Sequence, residues 1–167
     1  NAFTNCLRLT EIVIPESVNW IGNEAFMGCS KLENVVLPSR LDNIGDGTFA
    51  NCTSLKKIAV PEGITWLQTI FSGCTSLESV ELPQGLTSIG YRTFNGCSSL
   101  KQIVIPESVT SIGYETFKDC TNLSDVNLPK NLNEISNYAF QNSGVASIEI
   151  PGSVNSIGEF AFSGCKN

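Results

Sequence analysis

The sequence predicts a solenoid of about seven 23-residue coils, with parallel strands along one face. Three observations carry that reading. All seven prolines, Pro15, Pro38, Pro61, Pro83, Pro106, Pro129 and Pro151, follow one another at gaps of 23, 23, 22, 23, 23 and 22 residues. A phenylalanine trails each at a nearly fixed offset: Phe26, Phe49, Phe71, Phe94, Phe117, Phe140 and Phe162. Cysteine comes three residues after that at Cys29, Cys52, Cys74, Cys97, Cys120 and Cys165, with Ser143 taking the place once. Such a chain forms no closed globule, because each coil buries its apolar side against the next.

Within one coil each element has a local reason. The first full coil reads Leu9-x-x-Ile12-x-Ile14-Pro15-x-x-Val18-x-x-Ile21-Gly22-x-x-Ala25-Phe26-x-x-Cys29. Ile12-Val13-Ile14 alternates with period two and is β-branched, which predicts a short strand with Ile12 and Ile14 inward and Glu11 and Val13 outward. Pro15 ends the strand, since it has no N–H for a ladder, and marks a corner. Val18 and Ile21 return to the core as the chain turns. Gly22 is expected to supply a positive φ or a close backbone approach. Ala25-Phe26 is too short for a full helix and predicts a single tight turn. The phenylalanines, from Phe3 to Phe162, are expected to form one buried column. Two coils are one residue short, between Pro61 and Phe71 and between Ser143 and Pro151, and the core phases recover at once, so both deletions belong to turns.

One cysteine per coil at one phase forms a column in which every thiol has two equivalent neighbours. No unique pairing is specified, and Ser143 fills the same position, so the reading is a structural column of free buried thiols. A column of single thiols does not converge tetrahedrally, which argues against zinc. The net charge of −6 gives no electrostatic footprint for phosphates and argues against nucleic acid. No apolar run is long enough to span a bilayer. Both ends of the chain fall at the same phase and neither looks like a polar cap. Residues 1–167 are therefore expected to be a single solenoid cut, without its caps, from a longer protein.

The pattern Leu-x-x-Ile-x-Ile-Pro-x-x-Val-x-x-Ile-Gly-x-x-Ala-Phe-x-x-Cys resembles the BspA-like, or Treponema-type, class of bacterial leucine-rich repeats, and the resemblance covers essentially the whole chain. Two residues after each proline stand Ser17, Arg40, Gly63, Gly85, Ser108, Asn131 and Ser153, so the asparagine ladder of the general leucine-rich pattern is absent, which is itself typical of the class. The resemblance implies a right-handed, strand-rich leucine-rich-repeat solenoid of the α/β class. It also implies an extracellular or cell-surface protein of the adhesin or binding-module kind.

Chemistry finds little to work with. The chain has no histidine, which removes the commonest general base and metal ligand together with the Cys–His and Ser–His nucleophile arrangements. No phosphate-binding glycine loop appears. Glu81 and Glu149 lie three coils apart, roughly 14 Å at strand spacing, too far for a glycosidase pair. The expectation is a non-enzyme with no catalytic residue, cofactor or metal.

Binding surfaces are more informative. The strands present two outward columns, one of Glu11, Asn34, Lys57, Ser79, Gln102, Asp125 and Ser147, the other of Val13, Val36, Ala59, Glu81, Val104, Asn127 and Glu149. The second begins with an apolar stripe, and such stripes can mark contact sites, although β-branched residues also simply suit strands. Trp20 and Trp66 share a phase with Asn43 between them, and tryptophan is enriched at interfaces; local packing over a turn is the competing reading. Tyr91 and Tyr114 are expected to stack across coils. The candidate ligand-binding residues are Glu11, Val13, Asn34, Val36, Lys57, Ala59, Glu81, Val104, Trp20 and Trp66. The leading expectation is a surface recognition module that takes a host protein or glycan on its strand face. The alternative is a spacer or scaffold within a larger surface protein.

Overall fold

The computed structural model describes residues 1–165. Among these there is no helix, and the regular structure is a series of two- and three-residue strands. We number coils by their prolines, Pro15 marking the first. The three-residue strands are β1 (Glu11–Val13), β3 (Asn34–Val36), β5 (Lys57–Ala59), β7 (Ser79–Glu81), β9 (Gln102–Val104) and β11 (Asp125–Asn127). They pair in parallel at the register the alternation predicts: Glu11 beside Asn34, Val13 beside Val36, Lys57 beside Ser79, Gln102 beside Asp125. The middle residue of each points inward and its two neighbours are exposed.

Each coil carries a second strand beyond the proline corner, which the sequence reading treats as a turn. These are β2 (Trp20–Ile21), β4 (Asn43–Ile44), β6 (Trp66–Leu67), β8 (Ser88–Ile89), β10 (Ser111–Ile112), β12 (Glu134–Ile135) and β13 (Ser156–Ile157). From β2 to β12 the second residue of each pair is buried. The first is outward. Six coils thus contribute both strands, and the seventh contributes only β13. In that coil the missing residue falls just before the segment that would have formed the first strand.

The expectation for Gly22 and its counterparts resolves to close approach. A Cβ at Gly45 would lie 2.4 Å from the backbone nitrogen of Asn23 in the preceding coil. Left-handed backbone occurs instead on both sides of the phenylalanine. Glu24, Gly47, Thr69, Arg92, Glu115, Tyr138 and Phe160 take φ between 50° and 63° two residues before it. Asn5, Gly28, Asn51, Gly73, Gly96, Asp119, Asn142 and Gly164 take φ between 56° and 75° two residues after it. The second set is drawn from the residue types that tolerate this conformation. The first set, Gly47 apart, is not, and it is held by coil-to-coil bonds such as Thr69 N–H to Tyr91 C=O (2.9 Å) and Arg92 N–H to Tyr114 C=O (3.0 Å).

Inside, Phe26, Phe49, Phe71, Phe94, Phe117 and Phe140 are fully buried and stack ring on ring. The column is not buried to its ends, as the sequence reading expects: Phe3 is exposed and Phe162 half-buried, because each lacks a coil over one ring face. The thiols are free, and each from Cys29 onward donates to the phenylalanine carbonyl of the preceding coil, as Cys52 Sγ does to Phe26 C=O at 3.2 Å and Cys120 Sγ to Phe94 C=O at 3.1 Å. Burial pushes the Cys52 thiol up to about 12, with the neighbouring Cys29 adding to the shift. The buried threonine hydroxyls are also satisfied; Thr48 Oγ1 donates to Gly45 C=O at 2.6 Å.

The ladders are not continuous. The first pairs as β1–β3, β5–β7 and β9–β11; the second pairs β2 with β4 and then runs unbroken from β6 to β13. Only between the second and third coils are both interrupted. Elsewhere Asp42 N–H reaches Asn19 C=O (2.9 Å), Thr87 N–H reaches Thr65 C=O (2.8 Å) and Gly90 N–H reaches Leu67 C=O (2.8 Å). The counterparts in the third coil, Thr65 N–H and Gln68 N–H, make no such bond among the described residues. The phenylalanine column widens at the same place, to 6.1 Å between Phe49 and Phe71 against 5.5 Å for the pairs on either side.

Candidate binding surface

Strand alternation sets the first surface. Asn34, Val36, Lys57, Ala59 and Glu81, five of the expected residues, line one shallow depression of about 290 Å³ on the first ladder, together with Val35, Ile58 and Ser79. It lies where β3 and β5 fail to pair. Lys57 and Glu81 supply opposite charges. On the side of the first coil Glu11 pairs with Asn34 and Val13 with Val36, extending an apolar row in which Val13 is 70% and Val36 55% exposed. Val104 is equally exposed but stands beyond β7, outside the depression. Lys56 and Glu33 form an exposed ion pair (3.7 Å) across the same junction, and surface pairs of this kind contribute little stability.

Trp20 and Trp66 lie elsewhere. They are the outward residues of β2 and β6 on the second ladder, 63% and 43% exposed, so they belong to a strand face rather than to a turn. Trp20 pairs with Asn43. Its ring lies over Gly22, whose missing Cβ would otherwise sit 3.1 Å from Cη2. Next to Trp66, a small depression of about 60 Å³ is lined by Asp42, Asn43, Ile44, Ile64 and Thr65.

A third surface was only half legible. Tyr91 and Tyr114 stack as expected (5.6 Å), but the row continues through Tyr138 to Phe160, with centroids 5.5 and 5.3 Å apart. Tyr138 and Phe160 stand one residue closer to their phenylalanines, which hid them from a fixed-phase reading. Arg92 lies over the Tyr91 ring, 4.9 Å from its centroid, and Lys118 lies over Tyr138 at 5.7 Å. Between them the buried Glu115 carboxylate takes hydrogen bonds from Arg92 Nε and from Lys118 Nζ (3.1 Å). Burial pushes that carboxyl up, but the two cations outweigh it and hold it below its ordinary value. The rings stack on one another and under the cations, which stabilises the solenoid, while Tyr91, Tyr114 and Phe160 stay exposed.

Among the described residues no group of three or more histidine, cysteine or acidic side chains is placed to hold a metal ion, and no helix is long and apolar enough to cross a membrane.

Comparison with known proteins agrees with the geometry. The model of the BspA-type leucine-rich repeat region matches residues 1–97 and 67–167, in six copies. No curated protein sequence matches significantly. Among solved structures, the Treponema pallidum leucine-rich repeat protein superposes with a TM-score of 0.85 at 32% identity, over 94% of this chain and 77% of its own. A leucine-rich cell surface protein of Faecalibacterium prausnitzii gives 0.81 at 30%, over 93% of this chain and 45% of its own. A leucine-rich repeat protein of Bacteroides ovatus gives 0.75 at 33%, over 94% and 47%. The chain thus spans about half the length of two of these three proteins. Its strand-built coils, its 23-residue period and these matches agree: the chain belongs to the BspA-type leucine-rich repeat family.

Proposed function

We propose that the chain is the recognition part of an extracellular, cell-surface protein and takes a host protein or glycan on the first ladder. One observation carries this: five separately predicted outward residues, Asn34, Val36, Lys57, Ala59 and Glu81, line a single depression. An apolar row bordered by charged and amide groups has the make-up of a protein interface, with a dry centre and a polar rim, and favours a protein over a glycan there. Ladder positions also combine rigidity with freedom to vary. The surface setting is supported by the Faecalibacterium relative, which is described as a cell surface protein.

The test is binding of the 167-residue chain to arrayed extracellular proteins and glycans, repeated with Val36→Glu. Loss of binding with a melting temperature nearly unchanged supports the reading, because Val36 faces solvent. Equal binding by the variant, or no binding to either array, favours the spacer alternative or a site elsewhere.

A further inference from the structure

We propose that Glu16, Glu62 and Glu107 clamp the solenoid into pairs of coils, and so fix where the first ladder closes and where it opens into a depression. The pairing stands whether or not that face takes a protein. Three features coincide at the same junctions. Among the described residues the first ladder closes between coils one and two, three and four, and five and six, and at no other junction. At those junctions the chain entering the strand is bonded to the preceding coil: Glu33 N–H to Thr10 C=O (2.8 Å), Glu78 N–H to Lys56 C=O (2.8 Å) and Ser124 N–H to Lys101 C=O (3.0 Å). Past the strand, just beyond the proline, a glutamate carboxylate accepts the next coil's N–H: Glu16 from Ser39 (3.0 Å), Glu62 from Gln84 (2.9 Å) and Glu107 from Lys130 (3.0 Å). At the alternate junctions all three are missing. The counterpart amides of Lys56, Lys101 and Ala146 make no such bond among the described residues, and the glutamate position holds Ser39, Gln84 and Lys130.

The side-chain chemistry accounts for the alternation. Proline has no N–H, so the first amide beyond the corner lies outside the ladder. A side chain at the same phase one coil back can reach it. Serine is too short, and lysine has no acceptor. Glutamine has the length, but the Gln84 side chain takes no bond from Glu107 N–H among the described residues. A carboxylate makes the stronger, charge-assisted bond. Glutamate in every coil would stack carboxylates roughly 5 Å apart, and like charges so placed repel, which leaves every second coil for a clamp. A three-residue strand makes few ladder bonds, so one more at its end shifts the balance between closed and open. The depressions of the first ladder open at unclamped junctions, about 290 Å³ from the second coil to the third and about 300 Å³ from the sixth to the seventh. The glutamates are thus positioning residues for the outward face.

Glutamate and glutamine share one shape, and Glu62, Gln84 and Glu107 are exposed, so exchanging them leaves the core intact. Amide exchange is followed residue by residue by NMR in the isotope-labelled 167-residue chain. Glu62→Gln is expected to speed exchange about tenfold at Gln84, at Val60 and at Glu78. Val60 N–H bonds Glu81 C=O (2.9 Å) across the same junction, and Glu78 lies at the strand's far end. The triple variant Glu62→Gln/Gln84→Glu/Glu107→Gln moves the clamp to the junction of the fourth and fifth coils. It should slow exchange at Lys101 about tenfold and speed it at Glu78 and Ser124. A response at Gln84 alone would make the carboxylate a corner cap without influence on the strand, and would overturn the proposal. So would unchanged exchange at both Val60 and Glu78, or a Lys101 amide as fast in the triple variant as in wild type. Equal quickening at the core amide of Phe94, bonded to Thr116 C=O (2.9 Å), would mean general destabilisation and would overturn it as well.

Discussion

The junction between the second and third coils and the junction between the fifth and sixth are built from the same repeat, yet they are held differently. At the latter both ladders close, β9 on β11 and β10 on β12, and Phe117 stacks on Phe140 at 5.1 Å. At the former neither ladder closes, although the core contacts persist: Cys74 Sγ still donates to Phe49 C=O at 3.0 Å. Stacking is therefore set by the phenylalanine and thiol columns, and the ladders form where the outer path of the chain permits. Two changes are peculiar to the third coil, the residue missing before Phe71 and Gln68 in the glycine position. Ser136 also carries a Cβ at that phase and keeps its bond to Ile112 C=O (2.9 Å), so a side chain alone does not open the ladder.

The largest expected effect tests the primacy of the core. Phe117→Ala, inside the closed junction, should cost about 3–5 kcal/mol in urea unfolding. Phe71→Ala, beside the seam, should cost less, because the ring already stands farther from one neighbour. Equal losses would mean that the 6.1 Å spacing carries no energetic weight. Next in size is closure of the seam. Restoring one residue between Pro61 and Phe71 together with Gln68→Gly should return two main-chain bonds, about 1–2 kcal/mol, and slow amide exchange at Thr65. Unchanged exchange would show that something else holds the ladder open.

The smallest effect concerns pH, at a closed stretch of the second ladder. Arg92 in the fourth coil and Lys118 in the fifth hold the Glu115 carboxyl below its ordinary value of 4.5. A depressed acid contributes stability that is present above its unfolded value and is lost as pH falls through the lower folded value. Wild type should therefore exceed Arg92→Ala in stability above about pH 4.5, and the difference should shrink steadily below it. A constant difference at every pH would assign the arginine's contribution to its packing on Tyr91 instead.

Much of this was legible in the sequence, for a physical reason. Positions in contact with the next coil repeat at fixed phase, so Leu9, Phe26, Cys29 and their equivalents revealed the stacking, and strict alternation through Glu11-Ile12-Val13 revealed the outward columns and their register. The second ladder was hidden because two residues are too few to show alternation; Trp20–Ile21 looks like any turn with one apolar residue. The left-handed positions before the phenylalanines were hidden because Glu24, Thr69 and Arg92 share no chemistry, whereas the Asn, Gly and Asp set after them did carry a signal. Of the candidate site, the members were readable but their grouping was not: which outward residues meet depends on where a ladder breaks, and that follows from how the main chain relaxes around a deletion.

The thiol column has a consequence for how such a chain comes to be made. Each sulfur is sheltered by its neighbouring coils, Cys52 and Cys74 completely, whereas the terminal Cys6 and Cys165 remain partly open. Folding and oxidation are therefore in a race. A thiol whose coil has stacked has its pKa raised by burial and loses the thiolate form that oxidants attack; one still waiting does not. Coils that dock in order along the chain keep few sulfurs exposed at any moment, so the same regularity that makes the repeat recognisable also guards its chemistry during assembly.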